Sequence, residues 1–187
     1  MRPLANPWIA ALAAALAIGA AAQPRDAAPG QQDPGTVPAQ ATRARGNTRQ
    51  IEFLSDALRT SLANVRMGEL AAQQSSDQRV RDYGTKLKRD FTTQATEIER
   101  MLQPLNVPIP TEPSAEEQAH LAALMRLTGK EFDLAFVQQL IWTHTDAIES
   151  YGAQTQANPN RSVHDFAAAS LPLLREHLAK AEALRAK

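Results

Sequence analysis

The chain has 187 residues, with 20 Lys and Arg against 20 Asp and Glu, four His and no Cys. Balanced charge excludes a nucleic-acid clamp, which needs clustered cations to neutralise phosphates. The lack of cysteine excludes disulfides, thiol nucleophiles, iron–sulfur clusters and Cys-ligated zinc. Aromatic residues make up only 5% of the chain, which favours close-packed helices over sheets, where aromatic and β-branched side chains predominate.

Residues 1–22 read as an export signal. Arg2 gives a short positive start, Ile9 to Ala22 is an unbroken apolar run, and Ala20-Ala21-Ala22 supplies the small residues that a signal peptidase requires. From Trp8 to Ala22 there are 15 residues, whereas a spanning helix needs about 20. Cleavage is therefore expected before Gln23, leaving no integral membrane span. Without a following cysteine, lipid attachment at a lipobox is excluded. The expected destination is the periplasm or cell envelope.

Residues 23–48 carry Pro24, Pro29, Pro34 and Pro38 with Gly30 and Gly35, and no periodic apolar face. Such a segment buries too little surface to offset its ordering entropy, so a disordered linker is expected. Residues 49–187 are the expected folded domain.

In that domain a first long helix is predicted from Asn47, where Gln50 three residues on suggests a capping box. Its inward stripe is Ile51, Leu54, Leu58, Leu62, Val65 and Ala72. Gly68 lies near that stripe, where a missing side chain lets another helix come close. Ser75-Ser76-Asp77 offers a break and a cap. A second helix follows from Asp77 to Leu102, with Val80, Gly84, Leu87, Phe91, Ala95, Ile98 and Leu102 inward. Pro104, Pro108, Pro110 and Pro113 then make a helix-free connection. Ser114 with Glu117 forms a second capping box ahead of a short helix, and Gly129 is read as its stop.

The third long helix is expected over 130–156, with Phe132, Phe136, Val137, Leu140, His144, Ile148 and Tyr151 inward. Asn158-Pro159-Asn160 is a turn. The fourth helix is expected over 161–186, with Val163, Phe166, Ser170, Leu174, His177, Ala181 and Leu184 inward and a bend at Pro172. Two short turns and one long crossover give an all-α, ferritin-like antiparallel four-helix bundle with a short extra helix in the crossover.

Asn64, Asp90, His144 and His177 each lie near the middle of their helices, so one polar layer is expected. Two imidazoles and a carboxylate in a bundle core suit a transition metal such as zinc, manganese, iron or copper. The predicted metal set is Asp90, His144 and His177, with Asn64 in the same layer. The alternative is a His–Asp hydrogen-bond network that fixes helix register. A di-iron oxidase needs Glu-x-x-His on two core helices, and none falls on the four long helices.

Three strings carry a resemblance: MGELAAQQSSDQRVRDYGTKLKRDF (67–91), EFDLAFVQQLIWTHTDAI (131–148) and SLPLLREHLAKAEAL (170–184). Together they resemble the exported, ferritin-like domain of unknown function numbered four-one-four-two, whose members carry outer-membrane-protein labels. The resemblance implies an exported four-helix bundle over about residues 50–185. It also implies Glu at position 64, Asp-His at 90–91 and Asp-His at 143–144, where this chain has Asn64, Asp90-Phe91 and Thr143-His144. Of the implied polar set, Asp90, His144 and His177 match. The replacements point to a weakened or lost metal site.

The expected function is a non-enzymatic, exported helical bundle with a stress or binding role at the envelope. The rivals are a metal-binding or redox protein using the mid-bundle cluster, and a module that docks a protein partner in a surface groove.

Overall fold

The computed structural model describes residues 39–186, which belong to one compact unit, Val37–Lys187. The expected leader and most of the expected linker lie outside the described residues. The chain forms α1 (Ala39–Gln74), α2 (Gln78–Leu102), a single 3-10 turn (Gln103–Leu105), α3 (Ala115–Leu124), α4 (Gly129–Ala157) and α5 (Arg161–Arg185). No strand occurs among the described residues. The architecture is an antiparallel bundle of four long helices, with α3 in the crossover.

Two tight hairpins build it. Asp77 caps α2 by accepting a hydrogen bond from the Arg79 backbone N–H at 2.8 Å. Asn160 caps α5 through the Val163 N–H at 3.2 Å. Within the first hairpin the helices touch backbone to backbone. A Cβ on Gly68 would come within 2.4 Å of the Gly84 carbonyl oxygen, and one on Gly84 within 2.5 Å of the Ala71 Cβ. The close approach expected at Gly68 is therefore present, with Gly84 as its counterpart.

Between the hairpins the core is filled by larger side chains, among them Leu54, Leu58, Leu87, Phe91, Ile98, Phe132, Phe136, Leu140 and Leu174. Phe132 and Phe136 stack at 5.5 Å, and Phe53, Tyr151 and Phe166 pack edge-on or tilted at one end. The predicted stripe of the second helix is buried throughout. In the third and fourth, all are buried except Ile148 and Leu184, which are partly so.

The first helix departs from expectation in two ways. It begins at Ala39, so residues 39–48, assigned to the linker by their composition, are helical, and Asn47 caps nothing. Gln50 is instead buried and accepts from Asn160 Nδ2 at 2.8 Å, tying α1 to the cap of α5. Its buried face is also rotated: Phe53, Ala57, Ser61, Asn64, Met67 and Ala71 join Leu54 and Leu58, while Leu62 and Val65 are half-buried and Ala72 is exposed. Small and polar residues can face inward where helices pack closely, and a search for large apolar residues passes over them.

The Ser114–Glu117 capping box is formed in both directions. Gly129 does not stop α3, which ends at Leu124, five residues earlier. It takes φ +57° at the start of α4, a left-handed conformation glycine adopts without strain. No helix among the described residues is long and apolar enough to cross a membrane.

Candidate functional site: a groove above a buried polar layer

The mid-bundle layer forms as a row of contacts. His177, fully buried, faces the Asp90 carboxylate with Nε2 at 3.2 Å from Oδ2. An ionised carboxylate only accepts, so the neutral ring carries its proton on Nε2 and turns Nδ1 toward the Tyr83 hydroxyl at 3.3 Å. Tyr83 Oη donates to the backbone carbonyl of His177 at 3.0 Å. Asp90 is further held by Lys86, which also reaches Glu176 at 3.3 Å, and by Arg89 Nε at 3.0 Å. The ring of His144 lies 5.5 Å from that of His177, with Phe91 packed against both. His144 Nδ1 donates to the Leu140 carbonyl at 2.9 Å, one helical turn back.

Burial governs the charge of the layer. Desolvation lowers the His144 pKa from 6.5 to about 4, and the neighbouring His177 adds to the shift. Desolvation also lowers His177 to about 4; Lys86 acts in the same direction, and Asp90 opposes it. For Asp90, partial burial works to raise the pKa, but hydrogen bonds from Lys86 and Arg89 outweigh it and the carboxyl falls below its usual range. Both imidazoles are therefore neutral at neutral pH, beside an anionic Asp90.

Asp90, His144 and His177 thus come together, but as a row. His177 and Asp90 spend their facing atoms on each other, and His144 is one ring further along. Among the described residues no group of three or more His, Asp or Glu side chains converges as a metal would require. The Glu-x-x-His spacing does occur once, off the long helices, at Glu117 and His120. Glu117 is taken up by its capping box and by the Thr60 hydroxyl at 2.7 Å, and His120 contacts Gln139 at 3.1 Å.

Tyr83 and Lys86 were missed by the sequence reading. Lys86 stands four residues before Asp90, the spacing of a helical ion pair, and so was findable. Tyr83 was hidden because its role depends on the crossing angle of α2 and α5.

The position of a groove on the bundle was not legible in the sequence. A groove of about 1010 Å³ is lined by residues of α1, α3 and α4 and of the turn that follows α4. Its floor includes Phe53, Met67, Asn64 and Tyr151, and Trp142, 54% exposed, stands at its mouth with its ring edge-on to His120 at 6.0 Å. Among the described residues, five carboxylates line it (Glu52, Asp56, Glu116, Glu117 and Asp146) against one arginine, Arg49.

No curated protein matches the chain significantly. Among solved structures it is similar to a protein described as secreted, of DUF305, from Streptomyces coelicolor. The two are 14% identical, with a TM-score of 0.59 over 69% of this chain and 85% of that one, a likeness of fold. The family model for the domain of unknown function DUF4142 matches residues 35–184, and the chain belongs to that family.

Proposed function

We propose that this chain is an exported, non-enzymatic binding protein of the periplasm or envelope, whose groove between α1, α3 and α4 takes a cationic, partly apolar ligand. The observation that carries the reading is the lining of the groove: an excess of carboxylates around an apolar floor, with a half-exposed indole at the mouth. An aromatic face attracts a desolvated cation, best of all when the ring is Trp. Asp56 and Glu117 are already engaged by Arg59 and by Thr60 with the α3 cap, so the carboxylates that would meet a cation are Glu52, Glu116 and Asp146. Export is supported by the signal-like residues 1–22 and by the secreted DUF305 relative in fold.

Calorimetric titration of the whole chain with octyltrimethylammonium, and separately with octanesulfonate, tests the groove. Saturable heat is expected with the cation alone, and its loss with Trp142→Ala and with the Glu52→Gln/Asp146→Asn pair. Equal binding of both probes, or of neither, overturns the reading. N-terminal sequencing of protein recovered from the periplasm of an expressing bacterium is expected to begin at Gln23; an intact Met1 there removes the export claim.

The metal reading is kept alive by one atom, the free Nε2 of His144. Stoichiometric zinc, copper, manganese or iron in the purified protein, lost on His144→Ala/His177→Ala, would replace the binding reading with that one.

A further inference from the structure

Beneath the floor of the groove lies a second cavity of about 10 Å³, the space of a single water-sized probe. The two share walls, including Thr60, Asn64, Thr143 and Tyr151. Asn64, Gln94 and His144 all line the smaller one, at 1%, 4% and 1% exposure.

Each of the three is anchored by one polar atom. Asn64 Nδ2 donates to the Thr60 carbonyl at 3.0 Å, and His144 Nδ1 to that of Leu140 at 2.9 Å. Gln94 Oε1 accepts from the Ser61 hydroxyl at 3.1 Å, which also contacts the Ala57 carbonyl at 2.8 Å. The carbonyl acceptors fix which atom of Asn64 and of His144 is left over, and Gln94, with Oε1 on Ser61, turns Nε2 inward. Asn64 Oδ1, Gln94 Nε2 and His144 Nε2 are buried with no partner in the protein. With its proton on Nδ1, His144 presents a lone pair at Nε2. The niche therefore offers two acceptors and one donor, contributed by three different helices.

We propose that this niche is a binding site for one hydroxyl-class oxygen, supplied by water or by the alcohol end of a molecule in the groove. Water meets the pattern in full: two protons go to Asn64 Oδ1 and His144 Nε2, and a lone pair accepts from Gln94 Nε2. An alcohol gives its one proton to either acceptor and still accepts from Gln94. A metal ion is disfavoured, because the niche contains no carboxylate and holds an N–H donor. An apolar group leaves three buried polar atoms unmatched, each at a cost to stability. The alcohol source rests on the groove reading; the water source does not.

Crystals of the whole chain at high resolution, untreated and soaked in 1-butanol, test the site. An oxygen peak at roughly 2.7–3.2 Å from the three atoms is expected in the untreated crystal. An unchanged peak after the soak assigns the site to water. A hydroxyl at the same point, with its alkyl chain running into the groove, assigns it to an alcohol. A peak at roughly 2.0–2.2 Å from His144 Nε2 marks a metal and overturns the proposal. So does a collapsed niche in which the Gln94 amide reaches His144 directly. In solution, a nuclear Overhauser effect from a long-lived water to the His144 ring protons is expected, and its absence in the untreated protein counts against the site. If the oxygen is present and octyltrimethylammonium does not bind, the groove reading falls and the niche stands; the converse result removes only the niche.

Discussion

At the scale of single residues, the two buried imidazoles make acid a destabilising agent. In the unfolded chain a histidine takes up its proton near pH 6.5, whereas His144 and His177 in the fold do so only near pH 4. The unfolded state therefore binds more protons between these limits, and stability rises with pH. The full contribution of the neutral pair is present above about pH 6.5 and is lost as pH falls toward about 4. Each unit of difference corresponds to roughly 1.4 kcal/mol per group, so the total loss is on the order of a few kcal/mol. Urea midpoints followed from pH 7 to pH 4 should fall steeply, and the slope should flatten in His144→Gln/His177→Gln. A flat profile for the unaltered chain would show that the rings are not held neutral. That both rings are inward was legible from their place in an apolar stripe. Their partners were not: a stripe says which face a side chain lies on, whereas the bond between His177 and Asp90, 87 positions apart in sequence, depends on how two helices are aligned.

At the scale of elements, caps and glycines carry most of the local information. The Ser-Ser-Asp break, the Ser114–Glu117 box and the Asn-Pro-Asn turn each mark a helix end correctly, because a cap is a short-range hydrogen bond between residues adjacent in sequence. Asn47 with Gln50 fits the same pattern and fails, since Gln50 is claimed by Asn160 from the far end of the chain. Glycine illustrates how one residue type has opposite uses. At Gly68 and Gly84 an added methyl would strike backbone or the Ala71 Cβ, whereas nothing lies within 4 Å of such a methyl at Gly152. Gly68→Ala and Gly84→Ala should each destabilise by about 1–3 kcal/mol through overpacking. Gly152→Ala should stabilise by up to about 1 kcal/mol through helix propensity. Thermal unfolding of the three variants gives the comparison, and equal midpoints would mean that the first hairpin is looser than described.

At the scale of the whole molecule, the bundle class followed from four periodic segments and their loop lengths, quantities that a sequence carries directly. The groove did not, for it forms only where α1, α3 and α4 come together. Its acidic rim comes from Glu52 and Asp56 on one helix, Glu116 and Glu117 on a second and Asp146 on a third. In sequence each is an ordinary solvated charge, and only the packing gathers them. This is why the calorimetric contrast between a cation and an anion of equal chain length is a test of the assembly, and why it should fail once the fold is lost.

The placement of Trp142 gives the protein its own light source. The chain's other tryptophan is Trp8, so any form that starts after that residue has a single indole emitter, standing where a guest would enter. Changes in its emission colour or lifetime would report groove occupancy without a dye. Because no thiol is present anywhere in the chain, one engineered cysteine on α3 would accept an energy-transfer acceptor at a unique position, turning the opening between the two hairpins into a distance that can be followed in time.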